Sequence, residues 1–126
     1  MCVSNITEIE VLEEDLVAYK ITDCARFSRL SPSGRALQTG FADRGIYLYY
    51  DIGLTLKSSF EDTPGMYCFV HKEDALKDKF GNEHLLEVRI PKGTRIKGAT
   101  GKLYRNDMPV EVLLAEELVA LREVCA

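Results

Sequence analysis

Between Met66 and Ile90 the apolar pattern changes period twice, and no other feature constrains the fold of this chain as strongly. After the turn sequence DTPG, residues 62 to 65, the run from Met66 to Val70 reads as a short strand. Lys72 to Phe80 then sets Leu76 and Phe80 one helical turn apart. Glu73 and Asp74 lie in the first turn, Lys77 and Lys79 in the last, and Gly81 stands as a stop, so a helix over 72–80 is predicted. Leu85 to Ile90 returns to period two, with Leu86, Val88 and Ile90 on one face and Glu87 and Arg89 on the other.

Other segments also read as strands: Asp15 to Thr22, Arg26 to Leu30, the aromatic run opening GIYLYYDIG at 45–53, Thr94 to Lys97, and Lys102 to Arg105. Pro32 and Gly34 break the chain, and Arg35 to Arg44 reads as an irregular loop. The C-terminus admits two readings. Val110, Leu113, Leu114, Leu118 and Leu121 form a helical stripe, yet Val110, Val112 and Leu114 also alternate as in a strand. The expected fold class is α+β: a single domain over residues 1–126, with a bent antiparallel sheet, one helix at 72–80 and either a second helix or two strands at the C-terminus.

With 126 residues, 46% of them hydrophobic and 29% charged, the chain suits one core. No apolar run is long enough to span a bilayer, and MCVSNITEIE lacks the basic-then-apolar pattern of a signal peptide, so a cytoplasmic location and no membrane partner are expected. In a reducing compartment Cys2, Cys24, Cys68 and Cys125 are expected to be thiols, and their spacing forms no zinc knuckle. No phosphate-binding loop, dinucleotide glycine fingerprint, HExxH or GxSxG is present, so no cofactor and no metal are expected.

Cys68 and His71 supply the ingredients of a nucleophile and its base, but on a strand they point to opposite faces and cannot meet. The charge distribution is more informative. The net charge is -4, yet residues 89–105 hold Arg89, Lys92, Arg95, Lys97, Lys102 and Arg105 with no acid. A second basic block carries Arg26, Arg29, Arg35 and Arg44 close to Tyr47, Tyr49 and Tyr50. Local basic blocks in an acidic chain argue for a pocket rather than general nucleic-acid binding. Guanidinium groups grip phosphate and both residue types stack on a base, so a small anionic nucleotide-like ligand is the expected partner. The candidate ligand-binding residues are Arg26, Arg29, Arg35, Arg44 and Tyr47, with Phe69 and His71 as a floor and Arg89, Lys92, Arg95 and Arg105 as further cations. The bland alternative is a solvated basic face neutralised by the acidic blocks.

The Met1-Cys2 start, the strand VAYKI, PGMYCF followed by the KEDAL helix, and LLEVRIPKGTRIKG resemble a family of small phage and bacterial proteins of unknown activity. The layout is also similar to that of phage anti-defence sponges, which sequester a cyclic nucleotide or ADP-ribose-type immune signal without catalysis. That resemblance implies a homo-oligomer, with pockets at subunit interfaces, acting in the cytoplasm of the host cell. LLEVRIPKGT followed by VEVLLA is similar to the last part of ADP-ribosyltransferases, which implies an enzyme acting on NAD with Glu111 as its catalytic glutamate. Two of that fold's signature elements are replaced, by Tyr19-Lys20 and by YCFVHKEDA. A third reading is an inhibitor that binds a host defence protein directly.

Overall fold

The structure is a computed structural model and describes residues 3–22, 50–103 and 106–124. The predicted strand Arg26 to Leu30, the loop Arg35 to Arg44 and the run from Gly45 to Tyr49 lie outside the described residues. Within them the order is β1 (Glu10–Val11), β2 (Leu16–Thr22), β3 (Thr55–Lys57), β4 (Met66–Phe69), α1 (Lys72–Asp78), β5 (His84–Ile90), β6 (Arg95–Lys102), β7 (Pro109–Ala115) and β8 (Glu117–Glu123). The strands form one antiparallel sheet in the order β1-β6-β7-β4-β2-β5-β8-β3.

This order forces the sheet to bend. β7 and β8 are joined by the single residue Glu116, yet β4, β2 and β5 lie between them in the sheet. In a flat sheet they would stand about 19 Å apart, four spacings of about 4.8 Å. Two peptide steps through one residue reach only about 7 Å. The sheet therefore curls until the end of β7 meets the start of β8. Glu116 stitches the seam with its own backbone: its N–H donates to the Arg95 carbonyl (3.2 Å), and its carbonyl accepts from the Ser58 N–H (2.9 Å).

The curl has two apolar compartments. One gathers Ala18, Tyr50, Met66, Cys68, Leu86, Val88, Ile90, Leu113, Leu118 and Ala120. The other, which includes Ala75 of α1, gathers Ile21, Phe69, Leu85, Leu103, Val110 and Val112. β4 serves both, since Met66 and Cys68 point to the first and Phe69 to the second, as strand alternation requires. The helix ends two residues before the predicted 72–80 does. Lys79 already has extended backbone (φ -75, ψ 130), and its N–H closes the last helical bond to Ala75 O.

Residues 109–123 are two strands, so the helical reading of the C-terminus is corrected. Val110, Val112, Leu113, Leu114 and Ala115 are all buried, because the curled sheet covers both faces of β7. Burial on both faces erases the period-two signal that would mark a strand. β6 likewise runs to Lys102, beyond the predicted Thr94 to Lys97, through Gly98, Ala99 and Gly101, which have little strand preference of their own. Its pairing with β7 from Ile96↔Ala115 to Lys102↔Pro109 holds it extended. Among the described residues no helix is long and apolar enough to cross a membrane.

Candidate functional site

The seam at Glu116 is also where the sheet opens a cleft of about 430 Å³, lined by Lys57, Ser59, Lys92, Gly93, Thr94, Arg95, Glu116 and Glu117. Three local features build it. The PKG turn between β5 and β6 places Gly93 at φ 88 and is closed by a bond from Thr94 N–H to Pro91 O (3.1 Å). The Lys92 N–H is anchored on Asp15 Oδ1 at 2.8 Å. The edge strand β3 contributes Lys57, whose ammonium lies 3.7 Å from Glu117.

Arg95 is the centre of the cleft wall. Its Nε donates to Glu116 Oε1 (2.5 Å) and its Nη2 donates to Glu116 Oε2 (2.7 Å) and to both Glu61 oxygens (2.9 and 3.0 Å). Glu116 Oε2 also accepts the Phe60 N–H at 2.8 Å, so one carboxylate ties β6, the seam and the β3–β4 loop together. The forked guanidinium thus has two edges satisfied, while Nη1 makes no bond to the described residues and remains available. Hydrogen bonds from Ser59 and then Arg95 lower the Glu61 carboxyl to about 2. Arg95 likewise holds Glu116 below the usual carboxylate range, and the two carboxylates, Glu116 first, raise the Arg95 pKa above its already high ordinary value. The network is charged throughout the physiological range.

The eleven sequence candidates do not converge on this point. Lys92 and Arg95 line the cleft. Arg89 stands exposed on β5, between Val17 of β2 and Val119 of β8. His71 is exposed beyond the end of β4, with Nε2 3.1 Å from Glu111 Oε1 on β7. Phe69 is 1% exposed, packed in the compartment that includes Ala75 of α1, and its ring meets Tyr67 edge-on at 5.5 Å, so it presents no floor to solvent. Arg26, Arg29, Arg35, Arg44, Tyr47 and Arg105 lie outside the described residues.

Cys68 and His71 are apart, the thiol fully buried and the imidazole on the surface. Burial pushes the Cys68 thiol up to about 11, only partly offset by the Lys20 ammonium, so it is no nucleophile at neutral pH. Glu111 has 65% of its side chain exposed and shares the surface with His71, away from the cleft.

Sequence reasoning missed Lys57, Ser59, Glu116 and Glu117 as cleft residues. Glu116 and Glu117 interrupt the apolar run VEVLLA…LVAL, and that interruption was the available signal for a bend. It also missed Lys20, which is 1% exposed, donates to Tyr67 O (2.7 Å) and lies 5.3 Å from the Tyr50 ring centre. Its parity with Leu16 and Ala18 on β2 marked it as inward-facing. Among the described residues no three His, Cys, Asp or Glu side chains are grouped to hold a metal ion. Comparison with family models, with curated proteins and with solved structures finds no match.

Proposed function

We propose that this protein binds and sequesters a small anionic ligand without catalysis, in the manner of a phage anti-defence sponge. The ligand is phosphate-bearing and of cyclic nucleotide or ADP-ribose type. The observation that carries the reading is the cleft at the seam, where Lys57, Lys92 and the available Nη1 edge of Arg95 meet around a volume typical of ligand sites. Arg95 is held by Glu116 and Glu61, so it loses little side-chain freedom when an anion arrives. Glu117 and the Ser59 and Thr94 hydroxyls offer acceptors for the hydroxyls of a sugar.

Sequestration requires no nucleophile or general base, which suits a cleft lined by cations, hydroxyls and charge-locked carboxylates. An NAD-consuming reading has less support, since Glu111 stands on the open surface rather than in the cleft. The test is to incubate the protein with a panel of cyclic nucleotides and ADP-ribose derivatives, filter, and assay what is depleted. Depletion of one member, recovered intact after heating and lost with Lys92→Glu, supports the reading. Depletion of none, or recovery of a cleaved product, removes it.

A further inference from the structure

The first strand offers a second surface, separate from the cleft. Residues 4 to 12 run antiparallel along β6. Ser4 and Thr100 exchange backbone bonds (2.8 Å each), and Thr7 N–H donates to Gly98 O (2.9 Å). Glu10 and Val11 face Ile96 and Arg95, and Leu12 N–H donates to Thr94 O (3.0 Å). Among the described residues only one side of this segment is paired, since β1 ends the sheet. The N–H groups of Ile6 and Ile9 have no acceptor among the described residues. Leu12 turns both its N–H and its carbonyl toward the β5–β6 turn and β6, so antiparallel alternation turns those of Val11 outward.

The side chains along this edge are equally open. Ile6, Ile9 and Val11 are 54%, 43% and 59% exposed. Ile9 and Val11 alternate with Glu8 and Glu10, so period two gives the strand an apolar face and an acidic face. Glu8, Glu10, Glu13 and Glu14 are exposed and make no ion pair with the described residues. Edge strands are ordinarily blunted by shortness, by charge, by proline or by a bulge, and the charge on this one is acidic rather than the commoner lysine. A second copy of the same edge would set carboxylate opposite carboxylate, which is destabilising, so an identical edge is the wrong occupant. A strand whose basic side chains alternate with apolar ones complements both faces.

We propose that this edge is a docking strand for an extended, cationic segment of another protein, which adds to the sheet beside residues 6 to 11. Backbone bonds to the outward groups supply affinity, and the apolar and acidic faces select the alternating pattern. The test uses a fluorescent heptapeptide alternating lysine and valine, read by anisotropy, with amide exchange followed at Ile9 and Val11 in the whole protein. The controls are a peptide of the same composition with lysines and valines in two blocks, and an alternating glutamate and valine peptide. The alternating cationic peptide is expected to bind about tenfold or more tightly than either control and to slow exchange at both amides. Val11→Pro removes an outward donor without touching the β6 pairing, Glu10→Lys reverses one charge, and each is expected to weaken binding about tenfold. Equal binding of the blocked peptide, unprotected amides, or binding indifferent to both substitutions would overturn the proposal.

Discussion

Replacing Phe69 by alanine separates packing from ligand contact at a residue that sequence reasoning placed in the binding site. The ring is 1% exposed and lies in the compartment formed with Ile21, Ala75, Leu85 and Val112. An aromatic side chain buries on the order of 150 Å², which at about 25 cal/mol per Å² is roughly 4 kcal/mol. Measured truncations of buried aromatic residues fall at about 3–5 kcal/mol. The loss is expected within that range because the hole cannot close. Phe69 is pinned on one side by Val112 of β7 and on the other by Tyr19 of β2, the pairing that joins the two halves of the sheet through β4. Urea unfolding followed by far-ultraviolet circular dichroism measures it, as a shift in midpoint at unchanged slope. Phe69→Leu, which keeps most of the volume, should lose only about 1–1.5 kcal/mol. A loss below about 1 kcal/mol in the alanine variant would refute the packing argument, and the ring would have to serve something other than the core.

Three more predictions follow from the geometry. Cys68 should resist iodoacetamide at pH 8 in the native protein and react on unfolding, as peptide mass mapping would report. Because its folded pKa is raised to about 11 from 9.0, its contribution to stability is complete below pH 9 and declines as pH rises toward 11. Gly65→Ala should destabilise by more than about 1 kcal/mol, since φ is 90 and a Cβ would lie 2.5 Å from the Phe60 ring; Gly53→Ala, at φ 82 in open space, should lose less in the same melt. The Glu61 carboxyl, lowered to about 2, favours the folded state fully above its ordinary 4.5 and loses that effect as pH falls toward 2. A carboxyl carbon titration by NMR that finds Glu61 protonating at 4 or above contradicts the network.

How much was legible in the sequence follows from where burial is one-sided. β5 carries Glu87 and Arg89 away from the core, so its alternation was readable, and α1 carries Glu73 and Asp74 in its first turn and Lys77 in its last, the charge order that marks a helix. β7 is covered on both faces, and the stripe it makes together with β8, at 110, 113, 114, 118 and 121, imitated a helix. The cleft was half legible. Lys92 and Arg95 stood out as cations after a turn, but Lys57, Glu116 and Glu117 reach them only because the sheet curls, and strand order is not a local property of the chain. The tyrosine and arginine block before residue 50, which carried most of the nucleotide expectation, lies largely outside the described residues.

Native mass spectrometry of the protein with the cyclic nucleotide and ADP-ribose panel tests the central claim most directly, because it reads bound mass and subunit number together. The account predicts one bound, unaltered compound per cleft, displaced by raised salt and absent with Lys92→Glu, whose site lies on the turn and outside the core. A protein that retains no panel member, or retains one equally well with Lys92→Glu, contradicts it.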